Sequence, residues 1–225
     1  NVTFADGTKA SFDLPDARAE GINMSVNNNN QDTLDIKITT NDLFLKKNQN
    51  KAFYVIAQSN GVVCYAAQTI LRNTLYGAAI PKNKFPTGIV QVTVFSSKGS
   101  PLSERIAFIQ HNDQLNLALH TDKPIYLHKG KVNMTVTAKN KSLPVEGSFS
   151  VAVINERVVP FDEDAETTIL SHLLLTSDLR GFVENPNYYF IHKDNKAISD
   201  LDVLMLTQGY RRFSFRNIVS DRIPQ

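Results

Sequence analysis

The stretch His120-Thr-Asp-Lys-Pro-Ile-Tyr-Leu-His-Lys-Gly-Lys-Val-Asn-Met-Thr-Val-Thr-Ala138 decides the fold. Just ahead of it, Leu115, Leu117 and Leu119 alternate with Asn116, Ala118 and His120, the period of two that marks a half-buried strand. Pro124 holds Lys123 extended and cannot donate to a sheet ladder, so that strand ends or bends here. After Gly130 the alternation resumes, with Val132, Met134, Val136 and Ala138 on one side and Lys131, Asn133, Thr135, Thr137 and Lys139 on the other. The unit is a strand, a crossover carrying proline, and a second strand.

This unit resembles the opening of a macroglobulin-type β-sandwich domain. The shared residues are Thr121, Asp122, Lys123, Pro124, Tyr126 and Val132, with the family spacing kept. The usual Pro-Gly pair is replaced by His128 and Lys129, and glycine arrives one place later at Gly130. The resemblance implies a structural role for these six residues and names no ligand.

Outward from this unit, a chain of 225 residues has room for two sandwich modules of about 110 residues each. Such a length buries roughly 70% of its unfolded surface without metals or disulfides. The 24 Lys and Arg nearly balance the 22 Asp and Glu, so no global field draws nucleic acid or an anionic membrane. The single Cys64 excludes an internal disulfide, and its apolar setting, Gly61-Val-Val-Cys-Tyr-Ala-Ala67, reads as a packed thiol. No apolar run reaches the length of a membrane span, so no membrane-spanning segment is expected. No signal peptide is visible, and the opening in strand-like Asn1-Val-Thr-Phe4 suggests a piece of something longer.

The first half reads as short strands separated by turn signals. Asp6-Gly7 joins Val2–Phe4 to Lys9–Leu14. Strands follow over Gly21–Val26, Thr33–Thr39, Phe53–Gln58, Val62–Thr69, Thr74–Ile80, Gly88–Phe95 and Arg105–Gln110, with Ser59-Asn60-Gly61 as a hairpin. Nine strands exceed a seven-strand sandwich, so the first hairpin extends the sheet or belongs to a preceding module. In the second half Phe149, Val151 and Val153 predict a third strand. The acidic loop Asp162–Glu166 leads into a helix with Ile169, Leu170, Leu173 and Leu174 on its inner face. A last helix is predicted over Ser199–Gln208, capped by Ser199, with Leu201, Leu204 and Met205 inward and Gly209 closing it.

Three further stretches, Thr168–Gly181, Glu184–Phe190 and Leu201–Phe213, together resemble large envelope proteins of Bacteroidetes. In those, macroglobulin-like modules precede a helix ending in Thr-Gln-Gly-aromatic-Arg-Arg, often followed by regions similar to TonB-dependent receptor plugs. The resemblance covers roughly residues 86–213. It implies an extracytoplasmic location, in the periplasm or at the outer membrane, and a binding or scaffolding role.

Catalytic signatures are missing from the sequence. Cys64 lacks the Gly-Cys-Gly-Glu-Gln setting of a thioester, and no nucleophile elbow, phosphate loop, dinucleotide fingerprint or His-Glu-x-x-His occurs. His120 and His128 flank the crossover and could meet as two metal ligands, but the rarity of such sites favours a pair of exposed loop histidines. His172, beside the predicted apolar helix face, reads as a partly buried packing residue. Asp162, Glu163, Asp164 and Glu166 lack the spacing and central glycine of a calcium loop. The constellation that stands out is Tyr188, Tyr189, Tyr210, Arg211, Arg212 and Phe213. Aromatics and arginine of this kind carry many interaction hot spots, and they equally pack a C-terminal helix onto its neighbour.

The expectation is therefore a mainly β protein of two consecutive macroglobulin- or immunoglobulin-like β-sandwich domains. These span 1–112 and 113–225, the second with a short helical insertion and a C-terminal helix. The expected function is non-catalytic: a structural and interaction segment of a larger cell-envelope protein, with no enzyme activity, cofactor or metal. Its expected partners are another protein or other domains of the parent chain, with glycan or peptide as further ligands and no nucleic acid. The alternatives are a carbohydrate- or peptide-binding accessory module for TonB-dependent uptake, or rods of a macroglobulin-like protease trap.

Overall fold

Alternating apolar residues in the first half build two antiparallel sheets that close over one core. The computed structural model describes residues 1–155 and 157–208. A two-stranded hairpin, β1 (Val2–Thr3) and β2 (Lys9–Ala10), comes first and pairs with no other strand among the described residues. The sandwich follows. Strands β3 (Ile22–Asn27), β4 (Thr33–Thr40) and β7 (Leu75–Pro81) form one sheet, in the order β3-β4-β7. Strands β5 (Ala52–Ser59), β6 (Val62–Ile70), β8 (Gly88–Phe95) and β9 (Pro101–Ile109) form the other, in the order β6-β5-β8-β9. The facing sides supply Met24, Val26, Leu34, Ile36, Ile38, Phe53, Val55, Ile80, Val90, Val92 and Val94, all buried together. Every second position is apolar, and that is why the two pleated faces close dry.

The predicted turns are present. Asn60 and Gly61 have φ of 49° and 78°, the paired positive values a tight hairpin needs and that Asn-Gly supplies cheaply. The sequence reading missed helix α1 (Asp42–Asn48), which links β4 to β5. Its start is legible in hindsight: Asn41 Oδ1 accepts the Phe44 amide at 2.9 Å, an N-cap arrangement. Asn41 also donates to the Ala19 carbonyl at 2.7 Å, tying the approach to β3 to the same point. Phe44 and Leu45 then pack on the sandwich core.

Strand β8 is buried along its whole length, on both faces. A four-stranded sheet with one solvated face would alternate instead. The outer face of β8 and β9 is covered by the helical part of the second half. Ile89, Ile106 and Phe108 meet Leu175, Leu179, Val183, Phe190, Leu201 and Met205 in a second buried cluster. The covering elements are α2 (Ile169–Ser171), which continues as a π-helix over His172–Thr176, then α3 (Tyr188–Ile191) and α4 (Asn195–Thr207). Full burial of Leu175 and Met205, at 0% and 1% exposure, is worth roughly 1.5–3 kcal/mol for each side chain. The Arg105 guanidinium reaches Asp202 at 3.1 Å and fixes α4 along β9.

The remainder of the second half forms a separate three-stranded sheet of β10 (Asn116–Thr121), β11 (Met134–Asn140) and β12 (Leu143–Pro144), in the order β10-β11-β12. The protein is thus mainly β, with several antiparallel sheets, seven of whose strands form a sandwich-like pair among the described residues.

Several local expectations are corrected. Phe149–Val153 forms no strand, and its side chains stay exposed. Among the described residues the second half contributes one three-stranded sheet and a helical region, and no described strand pairs with that sheet beyond β10, β11 and β12. The helix after Thr168 turns its faces differently from the prediction. A π-turn, with the Ser177 amide on the His172 carbonyl at 2.9 Å, inserts an extra residue per turn. Leu175 and Leu179 therefore go inward, while Ile169, Leu173 and His172 are exposed. Helix α4 begins four residues before Ser199, since Asp194 accepts the Ala197 amide at 2.8 Å and provides the cap. Leu201 and Met205 face inward as expected, with Leu204 partly buried beside them.

Candidate interaction surfaces

The stretch from Thr121 to Val132 forms a locked hairpin loop between β10 and β11, not the crossover expected from the sequence. The Asp122 carboxylate accepts from the Tyr126 hydroxyl, from the Asn133 amide at 3.3 Å and from Asn133 Nδ2 at 3.1 Å. The Tyr126 oxygen takes the Lys123 amide at 3.0 Å, and Thr121 Oγ1 donates to the Lys123 carbonyl at 2.9 Å. The Tyr126 hydrogen bond, followed by that of Asn133, holds the Asp122 carboxyl below its ordinary range. Pro124 and Val132 sit exposed in the loop. Gly130 closes the turn: a Cβ there would lie 2.9 Å from the Leu127 carbonyl oxygen. Lys129, just before it, takes the positive φ of 60°. Thr121 ends β10 and the other five motif residues lie in the loop that follows, where they fix the register of two strands.

That register has a consequence for the sheet surface. Leu117 pairs with Ala138, Leu119 with Val136 and Thr121 with Met134, so these side chains share one face. Leu143, opposite Asn140, lies on it too. Of this set Ala138 is buried, while Leu119 is 64% exposed and Leu143 71%. The other face carries Asn116, His120, Thr135, Thr137 and Lys139. This sheet has an apolar side most of which stays exposed. Monomers rarely leave such a face open.

The aromatic and arginine constellation is divided by the structure. Tyr210, Arg211, Arg212 and Phe213 lie outside the described residues, as does Gly209. Tyr188 and Tyr189 stand edge to face at 5.2 Å, half-buried beside α4. The Tyr188 hydroxyl donates to Asp200 at 3.0 Å, and the Lys196 ammonium meets the same carboxylate at 2.5 Å while lying over the Tyr188 ring. Burial, then the bond to Asp200, pushes the Tyr188 hydroxyl up. The Lys196 and Tyr188 bonds in turn hold Asp200 down. His192 reaches Asp164 at 2.9 Å, so the acidic loop is tied to α3 and not laid out as a cation site. Among the described residues no cluster of three metal-ligating side chains occurs. His120 and His128 are both exposed.

Two depressions on the sandwich were not legible in the sequence. One is a polar cleft of about 580 Å³ where the Asn28–Gln31 loop meets α4, with Lys82, His111, Lys193 and Asn195 in its wall. Lys82 donates to the carbonyls of Asn28 and Asn30 at 2.9 and 2.6 Å, and burial lowers its pKa. The other is an apolar slot of about 90 Å³ between β6 and β7. Neither could be read from spacing, because each joins segments far apart in the chain. No described helix is long and apolar enough to cross a membrane. No protein-family profile matches the chain, and none of the curated proteins compared with it matches either.

Proposed function

We propose that this chain is a non-catalytic structural and interaction segment of a larger bacterial cell-envelope protein, extracytoplasmic and macroglobulin-like in its second module. What supports the reading is one observation: the continuous apolar face of Leu117, Leu119, Met134, Val136 and Leu143, displayed on a sheet whose register is locked by Asp122. In this reading the sandwich and its helical cover are the rigid block. The open sheet meets a protein partner or another domain of the parent chain, and the Tyr188–Phe213 region adds contacts. A glycan- or peptide-binding accessory module is the second reading, favoured by the amide- and lysine-rich cleft beside α4.

The test uses the full-length protein in its own envelope. Leu119→Ser with Val136→Ser should reduce its complex on native gels, while the isolated variant keeps its unfolding midpoint. An unchanged complex discards the interaction reading, and saturable binding to a glycan array would replace it.

A further inference from the structure

The sandwich is closed along one long side and open along the other. On the closed side β3 packs beside β9, and Asn28 Nδ2 donates to the Phe108 carbonyl at 2.7 Å. On the open side β6 and β7 end their respective sheets. Ala78 lies opposite Ile36, on the inward face with Tyr76 and Ile80, and it is nevertheless exposed. Between the two edges lies the 90 Å³ slot, bordered by Ile36, Ile38, Val55, Tyr65 and Ala67. It is smaller than the roughly 150 Å³ that admits a benzene ring, so it suits one aliphatic side chain.

The edges themselves point the same way. Exposed edge strands are ordinarily guarded by charge, proline or a bulge. Neither β6 nor β7 carries a charged residue. Strand β6 has a bulge at Cys64, where its register against β5 shifts. Strand β7 runs in unbroken register against β4 and offers Gly77, Ala78 and Ala79 along its middle, with Pro81 only at its end. Small side chains let another backbone come close.

We propose that the open side is a receiving site for an extended strand of a partner protein, uncharged and bearing an aliphatic side chain at every second position. The strand runs beside β7 through main-chain hydrogen bonds and lowers one side chain between the sheets, the strand-addition mode of peptide recognition. A second copy of β7 cannot play this part. Its inward Ile80 is fully buried in its own core. Its Tyr76 hydroxyl is spent on the Ile70 carbonyl at 2.9 Å and on the Asn73 amide at 2.8 Å.

The probe is a capped seven-residue peptide alternating serine with valine, against a control with aspartate in place of valine. Binding by the unmodified chain, followed by amide NMR and hydrogen exchange, should protect Leu75–Ile80, and the aspartate peptide should give no change. Ala78→Arg should weaken binding at least about tenfold and leave the unfolding midpoint in place, because Ala78 is exposed. Leu119→Ser, on the other sheet, should leave peptide binding as it was. The proposal is overturned by absence of binding, by protection mapped to β10–β12, by full-strength binding to Ala78→Arg, or by sedimentation showing the chain already paired through β7.

Discussion

Strand β8 and strand β10 are written in the same alternating code, and the fold treats them in opposite ways. Val90, Val92 and Val94 vanish into the sandwich, Ile89 is sealed under helices, and Gln91 and Thr93 are buried on the same side as Ile89. Leu117 and Leu119 keep more than half their surface in water. Period-two alternation specifies that a stretch is a strand and which side is apolar. It does not specify what lies on top. That is decided by segments distant in sequence, and β8 is covered by residues some eighty positions downstream.

The contrast can be attacked most strongly at Phe108, which is 3% exposed and stands edge to face with Phe190 at 5.8 Å. Phe108→Ala should cost about 3–5 kcal/mol in denaturant unfolding. Leu119→Ala, on the open sheet, should stay within about 1 kcal/mol. Equal losses would mean that the open face is covered in solution. A smaller effect sharpens how firmly the helices belong to the sandwich. Asp202→Ala strips the carboxylate from Arg105, whose side chain is only 10% exposed, and should cost about 1–3 kcal/mol within a single cooperative transition. Two separate transitions would show the helical cover unfolding alone.

The smallest effect concerns acid. Asp122 has a folded pKa below its ordinary value, so its contribution is present above the usual carboxylate range and is lost as pH falls through the lowered one. The Asn133 amide signal should therefore move at a pH below about 3.9, the ordinary aspartate value. Asp122→Asn should abolish that movement and leave the β8 amides untouched.

The strands of the sandwich were readable because they carry alternating residues and several are bounded by turn residues. Asn60-Gly61 is the clearest case. Among the helices, α1 and α3 went unread, α4 was readable apart from its start, and the helix after Thr168 was readable in existence but not in phase. The π-turn at His172–Thr176 lies against β8, with Leu174 beside Gly88, and the cap moved to Asp194 because its carboxylate reaches the Ala197 amide. Phe149–Val153 has strand pattern without strand partner, so local preference alone did not suffice. Of the candidate site, the locked loop at Asp122 was legible as a motif. The slot beside Ala78 was not, since it exists only where two non-adjacent edges fail to meet.

The helical cover has a mechanical corollary. Residues 169–205 return to clasp the same strands from which the chain departed at Ile109, so the three-stranded sheet hangs as a side branch anchored at both ends. Tension along the polypeptide is carried through the clasp and bypasses the branch.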